Sequence, residues 1–174
     1  MSMRERIALA LLLVACTGAR AEGPGLGRPV APDEIARFDI GVGPDGIGLP
    51  PGSGTAREGR LVYESRCVAC HGEKGQGKPN DRLVGGSETL KGNKPAIKTV
   101  GGYWPFATTV FDYIRRAMPF DAPRSLRDEE VYAVTAYLLH LEGVIAEEAT
   151  IDAASLPKIE MPNRNGFTPF APGH

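Results

Sequence analysis

Aromatic residues are scarce in this chain, and cysteines are scarcer. Its 174 residues include one Trp, five Tyr, six Phe and three Cys. So few aromatics limit the size of any core, while 22 Gly and 15 Pro imply long irregular segments around it. Neither sign of charge is in excess: the formal net charge is -1. That removes the basic surface a nucleic-acid-binding protein needs and the acidic excess of a solvating tail. No internal repeat and no strand pattern of any length occurs. The length suits one domain.

The sole long apolar run covers residues 7–16 and is too short to span a bilayer as a helix. Arg4 and Arg6 precede it, and Ala19-Arg20-Ala21 supplies an A-x-A cleavage site. Residues 1–21 therefore read as a signal peptide, with the mature chain beginning at Glu22 and a periplasmic destination. Leu13-Val14-Ala15-Cys16 also resembles the lipobox of bacterial lipoproteins, in which Cys16 would carry the lipid. The mature chain would touch a membrane only in that case.

Composition then divides the remainder. Residues 22–54 are a Pro/Gly-rich N-terminal arm with one short helical turn at Pro32 to Phe38. Residues 55–143 are the compact part, and residues 144–174 an irregular C-terminal arm. The compact part predicts three helices. The first runs from Thr55 to Arg66, with Leu61, Val62 and Tyr63 as its apolar positions. Gly59 within it costs roughly 1 kcal/mol relative to Ala, so it marks a close helix crossing. The middle helix covers Phe106 to Arg116, with Val110, Phe111 and Ile114 inward. The last helix follows Ser125-Leu126-Arg127-Asp128, which fits a capping box. Its apolar face is Val131, Val134, Tyr137, Leu138 and Leu141, and Gly143 is its stop.

Cys67-Val68-Ala69-Cys70-His71 is C-x-x-C-H, the haem-attachment signature. Two thiols three residues apart reach the two vinyl groups of one haem, and covalent bonds keep the cofactor from being lost outside the cell. His71 is then held under the iron. A redox dithiol would need a flanking βαβ pattern, and a zinc site a second ligand pair, and neither follows. The sequence thus calls for one covalently attached haem c, held by Cys67, Cys70 and His71.

The distal ligand must come from elsewhere. Met161, His140 and His174 are candidates, but Met118 is the expected one. It precedes Pro119 between two helices that flank the haem, and a soft thioether suits an electron-transfer iron. The alternative is a core methionine filling a gap. No Ser/His/Asp set, spare mature-chain Cys or second metal site is present, so the chain has no catalytic residues of its own. Arg115-Arg116 read as a solvated pair, or as a contact to a haem propionate or an acidic partner. Tyr103 and Trp104 either bond a propionate or simply pack.

Gly59-x-x-x-Tyr63, Cys67-x-x-Cys70-His71-Gly72, Ala117-Met118-Pro119 and a last helix with Tyr137-Leu138 together resemble a class I cytochrome c. The resemblance implies an all-α fold in which the first and last helices cross and Gly59, Tyr63 and Tyr137 meet. A narrower likeness covers most of the mature chain. Arg28-Pro29-Val30-Ala31-Pro32-Asp33-Glu34-Ile35, Val42-Gly43-Pro44-Asp45-Gly46, Gly48 to Gly54, Thr99 to Thr109, Asp112 to Pro119 and Met161-Pro162-Asn163 are similar to the cytochrome subunits of Sox-type sulfane/sulfite dehydrogenases. This implies a molybdenum-cofactor partner subunit of the sulfite oxidase type and a downstream cytochrome c or oxidase. Some members of that family carry two haem domains, whereas this chain has one C-x-x-C-H, which leaves sulfite open beside sulfane. Class I cytochromes often orient the haem His through a Pro carbonyl, and Pro79 lies near that place. The arms, with Ile35, Phe38, Ile40, Ile47 and Leu49 in the first and Ile151, Leu156, Ile159, Phe167 and Phe170 in the second, are expected to dock the partner subunit; the alternative is that both fold back over the haem domain.

Overall fold

A computed structural model describes residues 25–92 and 95–168. The signal segment 1–21, Cys16, Glu22, Phe170 and His174 lie outside the described residues.

The chain divides at Asp39 and Ile40 into two units. In the first, helix α1 (Pro32–Ala36) starts with Pro at its first position, where the missing N–H costs nothing. Arg28 pairs with Glu34 at 2.9 Å and Arg37 with Asp33 at 3.6 Å.

The second unit is helical apart from two three-residue strands. Strand β1 (Ser53–Thr55) leads into α2 (Ala56–Arg66). Thr55 caps that helix: its N–H donates to the Glu58 carboxylate at 2.8 Å, and Glu58 N–H donates back to the Thr55 hydroxyl at 3.3 Å. A single turn, α3 (Val68–His71), follows, then a long loop, α4 (Ala107–Ala117) and α5 (Asp128–Leu141). Strand β2 (Thr150–Asp152) returns antiparallel to β1, with Gly54 opposite Ile151.

The crossing of α2 and α5 organises the core. A methyl group at Gly59 would overlap the backbone carbonyl of Ala133 and lie 2.9 Å from the Tyr137 Cβ. Glycine is required here by close approach. Tyr63 and Tyr137 meet across the same crossing, with ring centroids 5.3 Å apart. The three residues expected to come together do so.

Two local expectations need correction. Leu61 points to solvent, 66% exposed, so α2 buries only Ala56, Gly59 and Tyr63. Helix α5 begins at Asp128, three residues after Ser125, because Arg127 is extended (φ -72°, ψ 157°) and takes the N-cap position itself. The working cap is the Arg127 N–H donated to Glu130 at 2.8 Å, which holds that carboxyl below its ordinary range. The far end behaves as expected. Gly143 at φ 71° closes α5, with its N–H on the His140 carbonyl and that of Val144 on the Leu139 carbonyl.

Helix α5 is also buried on nearly every side, from Val131 to Ala136 and again at Leu138 and Leu139. Part of its cover comes from the arms. Tyr132 of α5 donates to the Pro50 carbonyl at 2.8 Å, and on α4 Asp112 accepts the Val42 N–H at 2.9 Å. Leu49 packs on the core, and Ile151, Leu156 and Met161 are buried within it. Each such side chain contributes about 1.5–3 kcal/mol. Residues 40–54 and 144–163 thus fold back over the helices they flank.

Candidate metal centre

Helix α2 ends where the cysteines begin. Cys67 closes α2 through its N–H to the Tyr63 carbonyl at 2.9 Å, and its own carbonyl accepts from Cys70 and His71 at 3.1 and 2.9 Å. One turn of helix therefore carries both thiols and the imidazole. Gly72, at φ 79°, ends that turn, and the buried Tyr63 hydroxyl donates to the Gly72 carbonyl at 2.8 Å. The loop then wraps back: Gly77 N–H donates to the His71 carbonyl and Asn80 N–H to the Cys70 carbonyl.

His71 Nδ1 lies 2.7 Å from the backbone carbonyl of Asp81. A carbonyl only accepts, so Nδ1 carries the proton and Nε2 keeps the lone pair that a metal requires. The orienting carbonyl belongs to Asp81, two residues beyond Pro79. The side-chain pattern could not reveal it, because the interaction uses backbone.

Neither cysteine is in a disulfide; Cys67 is half-buried and Cys70 exposed. Burial, reinforced by the neighbouring Cys70, pushes the Cys67 thiol up to about 11. Among the described residues no group of three or more His, Cys, Asp or Glu is gathered as a metal site. Two free thiols on one turn beside an imidazole with Nε2 available are a donor set that fits haem c.

The remaining candidates sit elsewhere. Met118 caps the C-terminus of α4, with its N–H on the Ile114 carbonyl at 3.0 Å, and lies half-buried against the core. Met161 is a core residue of the C-terminal arm. His140 is half-buried with Nδ1 3.3 Å from the Ile145 carbonyl. Arg115 pairs with Asp128 at 3.0 Å and Arg116 with Asp112, so both find partners within the unit. Tyr103 and Trp104 pack edge to face; Tyr103 also meets Phe167, and Trp104 meets Tyr113.

Glu142 is a further polar element beside the loop, with no motif to announce it. Its carboxylate accepts the Gly85 N–H at 2.7 Å, and a side chain at Gly101 would collide with it. Burial raises its pKa, against the bonds from Gly101 and Gly85 and the nearby Arg82, which favour the charged form.

Residues 54–138 match the family described as cytochrome C oxidase, cbb3-type, subunit III. The thiosulfate dehydrogenase of Psychrobacter arcticus is 29% identical over 106 residues, 59% of this chain and 32% of its own length. That of Allochromatium vinosum is 28% identical over 134 residues, 76% of this chain and 44% of its own. The chain thus spans less than half the length of these curated relatives. Among solved structures, the sulfane dehydrogenase SoxCD of Paracoccus pantotrophus superposes with a TM-score of 0.77 at 38% identity, covering 85% of this chain and 73% of that one.

Proposed function

The chain belongs to the Sox-type cytochromes c, and on that premise we propose that it is the electron-transfer subunit of a sulfur-compound dehydrogenase. It accepts electrons from a molybdenum-cofactor sulfite or sulfane dehydrogenase subunit and passes them to a downstream cytochrome c or oxidase. Haem c supplies the one-electron couple. Cys67 and Cys70 hold a single haem through thioether bonds. His71 would hold the iron through Nε2, and Met118 would supply the second protein ligand. Residues 1–21 direct export to the periplasm, where attachment takes place, and residues 55–143 are the haem domain.

The observation that carries this reading is the 2.7 Å contact between His71 Nδ1 and the Asp81 carbonyl. It commits the imidazole to one orientation and one tautomer. With His71 Nε2 and the Met118 thioether as its two protein ligands, a bound haem would supply electron transfer and leave substrate chemistry to a partner. The likeness to SoxCD supports the identity of that partner.

A second reading has its own support. Both curated relatives are named thiosulfate dehydrogenases, so a haem enzyme with an open iron site is the rival. Stopped-flow reduction separates the two. The oxidised protein is mixed with sulfite, a sulfane donor or thiosulfate, with and without the purified molybdenum-cofactor subunit from the same organism. Reduction that requires the subunit is the expected result. Rapid reduction by thiosulfate alone would move the function to the rival, and no reduction under any condition would remove the partner assignment.

A further inference from the structure

In residues 40–54 and 144–163, Val42, Leu49, Ile151, Leu156, Ile159 and Met161 pack on or within the core and Ile47 is exposed, whereas no apolar side chain of residues 25–39 is buried. Leu26 is 88% exposed, Val30 48%, Ile35 51% and Phe38 76%. These are four of the nine large hydrophobic side chains exposed among the described residues, gathered into positions 26–38. No residue of α1 is buried.

The segment nevertheless has a defined local shape. One Arg28 nitrogen donates to both Glu34 carboxylate oxygens, at 3.1 and 2.9 Å, and Arg37 pairs with Asp33. The N–H groups of Phe38 and Asp39 both donate to the Ile35 carbonyl at 2.9 Å. Ile35 and Phe38, three residues apart on this turn, are therefore neighbours on one side of it. Local hydrogen bonds and ion pairs hold these apolar groups in water.

Charge argues against a lipid surface as their cover. Within residues 25–39 the two arginines are matched by Asp33 and Glu34, and Asp39 leaves a net charge of -1. An anionic bilayer attracts the opposite composition. The match to the cytochrome family begins only at residue 54, so this segment is no part of the haem-holding unit as that family defines it. Yet the likeness to SoxCD covers 85% of the chain, more than residues 40–174 can fill by themselves. It therefore reaches into the N-terminal unit.

We propose that residues 25–39 are a docking segment for the molybdenum-cofactor subunit, with Ile35 and Phe38 as its anchors and Leu26 and Val30 beside them. The proposal rests on the partner assigned in the preceding subsection. Exposed apolar anchors rimmed by paired charges are the composition of a specific protein interface. A second attachment of this kind raises the effective concentration of the haem unit at its electron donor without any new contact at the haem itself.

The test uses the full-length haem-loaded protein and the purified molybdenum-cofactor subunit, with affinity read by titration calorimetry. The double variant Ile35→Asp/Phe38→Asp should bind on the order of 100-fold more weakly, with an unchanged visible haem spectrum. Phe38→Ala, which introduces no charge, should weaken binding about 10-fold and serves if the double variant loses its haem. Leu61→Ser, at an exposed leucine of α2, should bind like wild type. Wild-type affinity in both segment variants overturns the proposal. So does a wild-type dimer that the variants convert to monomer while the subunit still binds, because the occupant is then a second copy. If the wild-type protein does not bind the subunit at all, the functional reading falls first and the docking segment with it.

Discussion

Replacing Gly59 by Ala tests the crossing on which the haem unit is built. Two effects oppose each other. Alanine favours the helix over glycine by about 1 kcal/mol. Against that, the new methyl overlaps the Ala133 carbonyl and crowds the Tyr137 Cβ at 2.9 Å. The obstacle is backbone of a buried helix, so no rotamer change relieves it and the helix axes must separate. Overpacking of this kind costs about 1–3 kcal/mol, and sometimes more. A rigid backbone neighbour places Gly59→Ala at or above the upper end, for a net loss of about 2 kcal/mol. In a domain of this size that lowers the melting temperature by about 4–8 °C. Gly41→Ala is the control, since a methyl there meets nothing within 4 Å; it should be neutral or slightly stabilising through the unfolded state. Circular dichroism melts of the two variants beside wild type give the answer. A Gly59→Ala melting point equal to or above wild type would refute the argument, because the helix propensity term would then be acting alone.

Met118→Ala should lower the reduction potential and let cyanide or carbon monoxide bind the iron, read by potentiometry and visible spectra; an unchanged spectrum and potential would assign the ligand elsewhere. Haem stain on a denaturing gel should survive acid-acetone extraction in the wild-type protein and be absent from Cys67→Ser/Cys70→Ser, and extractable haem in the wild type would end the thioether assignment. Glu142 predicts a pH effect whose sign follows from burial. Its folded pKa is raised above the ordinary 4.5, so its contribution to stability is full below that value and is lost as pH rises through the folded pKa. Glu142→Gln keeps an acceptor for the Gly85 N–H and abolishes the titration. Its melting point relative to wild type should therefore improve between acid and neutral pH, and a difference that does not vary with pH would show that the carboxyl does not titrate in this window.

The parts legible in the sequence were those whose signal is local and carried by side chains. Gly59 one turn before Tyr63 marks its crossing by spacing, and the folded chain puts that crossing there; C-x-x-C-H spacing likewise puts two thiols and an imidazole on one turn. Where two spacings compete, pattern alone fails. Ser125 with Asp128 and the Arg127 backbone with Glu130 both satisfy the three-residue rule. The extended Arg127 decides between them, and nothing in the composition marks that arginine as the N-cap. The Asp81 carbonyl was illegible for a different reason: every residue carries one, and only the path of the loop selects which reaches His71. Leu61, expected among the apolar positions of α2, is exposed because a helix face is defined by its neighbours. Helix α5, covered by α2, by α4 and by the returning arm, has little face left for solvent.

The arms show what composition limits and what it leaves open. A segment rich in Pro and Gly cannot assemble a core of its own, since it buries too little apolar area to offset the entropy of ordering it. The same segment can still complete a core that other elements have begun. Leu49 and Pro50 do so on one side, and Ile151, Leu156 and Met161 on the other, with β1 and β2 joining them. Proline lowers the entropy lost at each step, so a few buried side chains suffice. The core they complete is small because the chain has so few aromatics, and a haem domain short of apolar volume gains most from such additions. Residues 25–39 have apolar side chains of the same kind and a proline at the same helical start, yet theirs remain exposed. Length and composition do not distinguish the two cases. What differs is that the charges of residues 25–39 are matched among themselves, Arg28 with Glu34 and Arg37 with Asp33, whereas Val42 and Pro50 direct their backbone groups to Asp112 and Tyr132 of the helices. A segment that satisfies its own polar groups while holding Ile35 and Phe38 in water is arranged for a surface that another chain must supply.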